Sequence, residues 1–300
     1  MKKNNVIIAG NGPSLKEIDY SRLPNDFDVF RCNQFYFEDK YYLGKNIQAV
    51  FFFPGNFFEQ YYTMQILLQR QEYFCKNIVC KIFPIQHYTH QKSFKNFNNI
   101  FPIFFPAAYD GNKKYISKLH QLNHFLNFNF TYDKGMQITT GIYAVACAVA
   151  CGYKNIYITG IDFYNTPNYA YEISDKKGLH SLNPSFNIAY LKSHSKEIDL
   201  EVLNFLSINY QVNFFSISPN SPITKYIPLA PQKNNIFNIE DKPLNSIKDI
   251  LIPPKESYKK YLKALYLENN ICYNYLYNFY KFPSALKNYF KNLSKANKRN

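Results

Sequence analysis

The sequence predicts an α/β fold with one wound, mostly parallel sheet. Short apolar runs alternate along the chain with longer segments of helical periodicity. Several of these runs end in glycine or polar residues, as strands often do at the ligand-binding edge of such sheets. A chain of 300 residues, 46% of them hydrophobic, can bury the core of one large domain. We therefore expect a single Rossmann-type domain with helices on both faces of the sheet.

The elements follow from the hydrophobic pattern in chain order. The predicted strands are residues 6–9, 27–32, 49–53, 78–83, 156–161 and 213–217. The predicted helices are residues 57–73, 115–125, 141–151 and 198–208. Because strands and helices alternate, neighbouring strands should be parallel and joined by crossovers.

The first predicted strand ends in a turn, Gly10 to Ser14, that leads into a predicted helix. Such a turn presents backbone N–H groups at the carboxyl end of a strand, where phosphate groups bind in α/β folds. Leu15 stands where the GxGxxG dinucleotide pattern needs its third glycine. The turn therefore predicts a nucleotide or phosphate site and disfavours a nicotinamide site.

A second predicted turn follows the strand at residues 156–161. The helix before that strand is Ala-, Val- and Cys-rich on every side, as expected of a central buried helix. Asp162 comes directly after the strand and should lie at the same edge of the sheet as the first turn. We expect these two turns to share one site.

The chain carries 35 Lys and Arg against 21 Asp and Glu, a formal net charge of +14. Residues 251–300 contain nine Lys and one Arg against two Glu, which accounts for +8 of that charge. Tyrosines, phenylalanines and leucines interleave with these lysines at roughly helical spacing. This pattern fits three interpretations: attachment to a membrane surface, binding of nucleic acid, or an ordinary packed helix pair. AT-rich codon usage also produces Lys- and Tyr-rich chains without any such role.

Other patterns narrow the class of protein. No run approaches the roughly 18–20 apolar residues that span a bilayer, and the N-terminus lacks a signal-like apolar stretch, so a cytoplasmic protein is expected. His120 and His124 have metal-ligand spacing, but no third ligand follows nearby, so no metal site is predicted. Residues 163–194 show no clear period and predict a lid between residues 1–162 and 195–250 of the α/β domain.

Several long motifs resemble a known family. They are VIIAGNGPSLKEIDYSRLP, DVFRCNQFYFEDKYYLGK, ITTGIYA, CGYKNIYITGIDFY and HSKEID. These motifs resemble the bacterial lipooligosaccharide sialyltransferases of glycosyltransferase family 42, over residues 6–231, with a weaker match at residues 75–133 and in the tail. The resemblance implies a GT-A-like nucleotide-binding domain with a lid over the donor. It also implies inverting transfer of sialic acid from CMP-sialic acid to a galactose or sialic acid hydroxyl, with an alpha-2,3 linkage and without a metal or other cofactor.

The resemblance also implies roles for individual residues. His194 corresponds to the catalytic base, and Tyr164 and Tyr169 to tyrosines that hydrogen-bond the donor phosphate, with Tyr171 as a competitor for Tyr169. The residues implied to bind the CMP-sugar are Asn11, Ser14, Asn33, Thr139, Thr140, Gly141, Gly160, Asp162, Phe163 and Tyr190. The chemistry fits, because phenols with a pKa near ~10 donate hydrogen bonds at neutral pH and a histidine near ~6.5 can accept a proton.

Two residues depart from the family pattern on the presumed acceptor side. Gln137 stands where the family usually carries an arginine, and Phe53 where relatives often have a small polar residue. The first change removes a positive charge and the second adds bulk. Transfer of another CMP-nonulosonic acid, hydrolysis of CMP-sialic acid, and CMP binding without transfer are therefore the alternative functions.

The expected partners follow from the same resemblance and from the basic tail. They are the CMP-sialic acid donor, a lipooligosaccharide or galactoside acceptor, and an anionic membrane surface bound by residues 251–300. The protein should then lie on the inner face of the bacterial inner membrane. We expect no nucleic acid partner, because no recognised nucleic-acid motif accompanies the charge. A homo-oligomer, a tetramer by resemblance, is also expected.

Overall fold

The structure is a computed structural model, and it describes residues 3–53, 64–82, 107–132, 136–164, 168–171, 194–233, 236–243 and 271–296. Nine strands are present in these residues. They are β1 (Asn5–Ala9), β2 (Asp28–Cys32), β3 (Asn46–Ile47), β4 (Ala49–Phe52), β5 (Phe74–Cys75), β6 (Ile78–Cys80), β7 (Ala108–Asp110), β8 (Asn155–Thr159) and β9 (Asn213–Ser216). All six predicted strands are confirmed, although the third, fourth, fifth and sixth of them end one to three residues earlier than predicted.

Seven strands form the main sheet in the order β7-β6-β4-β2-β1-β8-β9, and β3 pairs with β5 in a small second sheet. Every neighbouring pair of the main sheet is parallel. The chain moves outward from β1 to β7 and then returns to β8 on the other side of β1. The strand order therefore reverses between β1 and β8, and ligands bind outside the carboxyl ends of the strands at such a point.

The described α-helices are α1 (Gly111–Lys114), α2 (His120–Tyr132), α3 (Thr140–Ala150), α4 (Lys196–Tyr210) and α5 (Ile271–Ala296). Residues 64–69 are also helical. Three predictions are corrected here. The helix predicted at residues 57–73 ends at residue 69, and residues 57–63 lie outside the described residues. The first turn leads into a five-residue 3-10 helix, Pro13–Glu17. The helix predicted at 115–125 divides into a 3-10 turn, Ile116–Lys118, and α2, which continues to Tyr132.

The two faces of the sheet carry separate layers of the core. Alternate residues of β1 point to opposite faces, so Val6 and Ile8 join one cluster while Ile7 and Ala9 join the other. The first cluster contains α2, α3 and α4, and every residue from Thr140 to Val149 is buried, as predicted for the central helix. The second contains the 3-10 helices Pro13–Glu17 and Phe35–Phe37 and residues 64–69. The predicted α/β class with two covered faces is confirmed.

Helix α5 lies in the basic tail and confirms a helix there over residues 271–296. Its large apolar side chains are exposed to solvent, which contrasts with a packed helix pair. They include Ile271, Tyr275, Phe279, Phe282, Leu286 and Tyr289. In the described part of the chain, no helix has the length and apolar character that crossing a membrane requires. The start of the tail, residues 251–270, lies outside the described residues.

Candidate active site

The turns after β1 and β8 touch at the switch point of the sheet. The N–H of Gly12 donates to the Gly160 carbonyl at 2.9 Å. A Cβ atom on Gly10 would lie 2.1 Å from the Gly160 oxygen, so no side chain fits there. Gly160 has a φ of +64°, a left-handed conformation that glycine adopts without a steric penalty. These glycines therefore bring the two predicted binding turns into direct contact.

Hydrogen bonds of Ser14 and Asp162 join the two turns. The Ser14 N–H donates to Asp162 Oδ2 at 2.9 Å, and the Gly160 N–H donates to Ser14 Oγ at 3.0 Å. Ser221 Oγ donates to Asp162 Oδ1 at 3.0 Å. Both residues lie at the predicted site, where their observed hydrogen bonds fix the shape of its floor. Direct donor contacts by Ser14 and Asp162 stay a prediction.

Asn11 and Asn33 lie beside this floor. Asn11 Nδ2 donates to the Cys32 carbonyl at 2.9 Å, whereas its Oδ1 is buried without a hydrogen-bond partner among the described residues. Asn33 has a φ of +49°, and its Oδ1 accepts from the Phe53 N–H at 3.1 Å. A buried acceptor that lacks a protein partner fits an N–H or O–H of a ligand. Asn11 is therefore well placed for the predicted donor contact.

The N-terminus of α3 meets the same region. Thr139 is the N-cap, and its Oγ1 accepts from the Ile142 N–H at 3.3 Å. Thr140 is buried, and a Cβ on Gly141 would lie 2.6 Å from Ile161 Cδ1, which shows how closely α3 approaches the end of β8. Backbone N–H groups at a helix N-terminus favour anions. The arrangement supports the predicted contact of residues 139–141 with the donor.

His194 precedes α4, and a backbone carbonyl orients its ring. The Nδ1 atom of His194 lies 3.0 Å from the Gln137 carbonyl oxygen. Because a carbonyl can only accept, this contact puts the proton on Nδ1 and leaves the lone pair on Nε2. Burial, and next the positive charge of Lys81, lower the His194 pKa from 6.5 to about 3. The ring is therefore neutral at neutral pH, as a general base requires.

Tyr164 stacks on His194, with ring centroids 5.9 Å apart and planes inclined by 11°. Phe163 and Tyr164 have φ values of +52° and +55°, which are strained for bulky residues and recur at functional sites. The two rings border a cavity of about 120 Å³, whose lining residues are Thr139, Phe163, Tyr164, His194, Ser195, Lys196 and Asp199. The predicted base and one predicted phosphate donor thus lie side by side.

The second phosphate-binding tyrosine has two candidates, Tyr169 and Tyr171. Their rings stack 5.6 Å apart, and the intervening Ala170 N–H donates to the Asn11 carbonyl at 2.8 Å. The Tyr171 hydroxyl is buried without a partner among the described residues. Burial raises the pKa of Tyr169 to about 12 and that of Tyr171 well above 10. Both phenols are protonated donors at neutral pH, so the geometry keeps both candidates. Tyr190 lies outside the described residues.

Phe53 and Gln137 are the residues predicted to lie on the acceptor side, and Lys81 contacts Phe53 and the residue next to Gln137, Ile138. Gln137 binds His194 through its carbonyl, and its side-chain Oε1 is buried without a partner in the described ranges. The Phe53 ring centroid lies 5.7 Å from Lys81 Nζ.

Within the described residues no group of three or more His, Cys, Asp or Glu is arranged to hold a metal ion.

Sequence reasoning missed two charged residues of this region. Lys81 and Asp199 are fully buried, and Asp199 Oδ1 accepts from the Thr139 N–H at 2.8 Å. Burial lowers the pKa of Lys81 and raises that of Asp199, while their mutual attraction opposes both shifts. The available signal was a lysine directly after the apolar run Ile-Val-Cys of β6, at the edge of the sheet where ligands bind.

Together the fold and the site fit the glycosyltransferase class of enzymes, because an edge suited to an activated sugar lies next to a histidine that is able to act as a base. A family model described as alpha-2,3-sialyltransferase (CST-I) matches residues 4–293. The chain belongs to this family and is a sialyltransferase, which confirms the resemblance to glycosyltransferase family 42.

Solved structures support the same assignment. The monofunctional alpha-2,3-sialyltransferase Cst-I from Campylobacter jejuni is 43% identical, with 88% of this chain and 96% of that chain covered at a TM-score of 0.78. The sialyltransferase CstII from Campylobacter jejuni, in complex with the substrate analogue CMP-3FNeuAc, is 48% identical, with 86% and 98% covered at a TM-score of 0.76. CST-II in complex with a trisaccharide acceptor and CMP is 47% identical, with the same coverage and a TM-score of 0.74.

Proposed function

We propose that this sialyltransferase moves sialic acid from CMP-sialic acid to a galactose hydroxyl of lipooligosaccharide. The proposed linkage is alpha-2,3, and the proposed mechanism is a single inverting displacement without a metal ion. The observation that carries the proposal is the His194 ring, which is bonded to the Gln137 carbonyl at 3.0 Å and stacked on Tyr164 beside the N-terminus of α3. The similar structures that hold CMP, a substrate analogue and a trisaccharide acceptor support the choice of substrates.

The base in this mechanism is His194. Its Nε2 takes the proton of the acceptor hydroxyl while the acceptor oxygen forms a bond to the anomeric carbon of the sialic acid. The bond from that carbon to the phosphate oxygen breaks at the same time, and CMP leaves with the electron pair. Attack on the side opposite the leaving group inverts the anomeric configuration. The neutral state of His194 at neutral pH suits the first of these events.

Negative charge develops on the departing phosphate oxygen and needs hydrogen-bond donors. Tyr164 and Tyr169 supply phenolic O–H groups, and α3 supplies backbone N–H groups. Burial raises the pKa of both tyrosines, so neither loses its proton in the working pH range. Donors that are fixed before the reaction stabilise the leaving group without a metal ion.

The first prediction tests the reaction itself. Purified protein incubated with CMP-sialic acid and a lactoside should release CMP and form a sialylated product at equal rates, with no change on addition of EDTA. Product NMR should show a new alpha-2,3 linkage whose anomeric configuration is opposite to that of the donor. CMP release that is equally fast without acceptor would identify a hydrolase instead, and a strict metal requirement would contradict the mechanism. Parallel donors test whether another CMP-nonulosonic acid is preferred.

We further infer that α5 attaches the enzyme to the cytoplasmic face of the inner membrane, close to its lipid-linked acceptor. Ile271, Tyr275, Phe279, Phe282 and Leu286 recur at intervals of three or four residues and lie on one face of the helix. Helical periodicity assigns the lysine positions 281, 287, 291 and 295 to other sides of the helix. An exposed apolar face with flanking lysines fits the interface of an anionic bilayer.

Deletion of residues 251–300 should therefore release the protein from anionic vesicles and leave CMP binding unchanged. A matched variant replaces Lys281, Lys287, Lys291 and Lys295 by glutamine, which keeps the apolar face. Because each lysine near such a surface contributes about 1 kcal/mol, this variant should lose most of its preference for anionic over zwitterionic vesicles. Sedimentation with vesicles and calorimetry with CMP measure the two properties. Vesicle binding that survives the deletion would refute the proposal.

The homo-oligomer also stays a prediction, and light scattering of the purified protein would test it.

A further inference from the structure

Lys81 is a charged residue of this region to which the proposed mechanism gives no role. It follows β6 and is 0% exposed, and lysines are almost never fully buried unless they are paired. Its Nζ donates a hydrogen bond to the Ile138 carbonyl and lies 5.7 Å from the centroid of the Phe53 ring. Its charge also interacts with the Asp199 carboxylate. The sheet thus places a cation directly beneath the proposed active site.

Lys81 and Asp199 each form a hydrogen bond with the same short segment of backbone, residues 138–139. Lys81 bonds the Ile138 carbonyl, and Asp199 accepts from the next N–H along the chain, that of Thr139, at 2.8 Å. The residue before Ile138 is Gln137, whose carbonyl orients His194 at 3.0 Å. Any shift of residues 137–139 would therefore change the position and the tautomer of His194.

A second buried cation shows how this pair differs from an ion pair of the core. Arg31 is equally buried, but its guanidinium binds Glu38 at 2.6 Å within the second layer. Asp199, in contrast, lines the cavity next to His194, and its Oδ2 is buried without a hydrogen-bond partner among the described residues. One member of this pair, Asp199, therefore lines the site itself.

We propose that Lys81 is a positioning residue of this sialyltransferase, which fixes residues 137–139 for His194 and supplies the positive charge that Gln137 lacks. The family usually carries an arginine at position 137. Here the cation comes from the end of β6 instead and reaches the neighbouring carbonyl. The proposal rests on the proposed role of His194 as the base.

The positive charge has a second consequence for His194. An ammonium group near an imidazole disfavours protonation of the ring, and Lys81 contributes to the lowered pKa of His194 in this way. Removal of the charge should raise the His194 pKa toward 6.5. A role for Lys81 in packing alone would leave this titration unchanged, so the titration separates the two roles.

The test compares the full-length protein with four variants, and a fifth variant serves only to assign the NMR signal of His194. Lys81→Met removes the charge, and Lys81→Met/Asp199→Asn also removes the carboxylate that would otherwise lack its partner. Lys81→Met/Gln137→Arg restores a cation at the neighbouring position. Lys154→Met is the control, because Lys154 is exposed and precedes β8 at the opposite edge of the sheet. Steady-state kinetics, thermal unfolding and NMR of ring-labelled histidine are measured for each variant, with His194→Gln used for assignment.

We expect Lys81→Met to lower kcat by at least about 10-fold and to raise the His194 pKa by one unit or more, with the larger effect on kcat than on KM. Lys81→Met/Asp199→Asn should recover thermal stability but not kcat, whereas Lys81→Met/Gln137→Arg should recover part of kcat. Wild-type kcat in the Lys81→Met/Asp199→Asn protein, or an unchanged His194 titration, would overturn the proposal. If the wild type transfers no sialic acid, the proposed function fails, while the histidine titration still tests the position of the Lys81 charge.

Discussion

Replacement of His194 by alanine should lower kcat for sialic acid transfer by about 10²–10⁴-fold, the range that a positioned general base contributes. The reason is the orientation of the ring, because the Gln137 carbonyl holds the proton on Nδ1 and leaves Nε2 to accept one. Affinity for CMP should change little, because the nucleotide is predicted to bind at the turns after β1 and β8. Steady-state kinetics and calorimetry with CMP separate these two effects.

The matched control is His124→Ala. His124 lies in α2 and is exposed, so the same substitution there should leave kcat unchanged. A full loss of activity in the control, or an undiminished kcat in His194→Ala, would reject the assignment of the base.

The lowered pKa of His194 also predicts how stability and activity depend on pH. The folded-state pKa of His194 is lowered to about 3, so the unfolded chain, with a pKa near 6.5, binds this proton more tightly. The contribution of His194 to the free energy of unfolding therefore falls as the pH drops from 6.5 toward 3, and it is constant above 6.5. The acid limb of kcat/KM that comes from His194 should accordingly lie well below pH 6.5.

The regular part of the fold follows from the sequence because its signals are local. Val6 to Ala9 and Ala49 to Phe52 are apolar runs that need burial on both faces, which is the pattern of a central parallel strand. β7 was missed because Ala108–Asp110 is a three-residue edge strand without a buried face, and its pairing with β6 alone defines it. The fifth predicted strand was too long at its end because Gly160, at a φ of +64°, turns the chain after Thr159.

The site was predictable only in part, because some of its residues follow local motifs and others meet only through tertiary packing. The turns at Gly10 and Gly160 follow recognisable strands, and the carboxyl ends of adjacent parallel strands must meet at one edge. Lys81 and Asp199 are far apart in the sequence, and no local pattern links them. Their pairing depends on where α4 packs relative to β6. The sequence motifs thus predicted that these two turns meet, whereas the charges near His194 needed the tertiary structure.

The Tyr164→Phe variant isolates one hydroxyl group and should lose about 10²–10³-fold in kcat, which is the cost of removing one fixed donor from a developing charge. Phenylalanine keeps the ring that stacks on His194 at 5.9 Å, so the support of the base is retained. Thermal stability should therefore stay close to that of the wild type. A higher KM with unchanged kcat would mean that the hydroxyl binds the ground state and does not assist departure of the phosphate.

Two further Phe variants decide which tyrosine completes the pair, because Tyr169 and Tyr171 stack on each other and each variant removes one hydroxyl while keeping the ring. If Tyr169 is the second donor, Tyr169→Phe should resemble Tyr164→Phe, and Tyr171→Phe should resemble the exposed control Tyr132→Phe. The reverse ranking would assign the buried Tyr171 hydroxyl to the phosphate. Wild-type kcat in all three site variants would remove the phenols from the mechanism and leave the N-terminus of α3 as the group that stabilises the leaving phosphate.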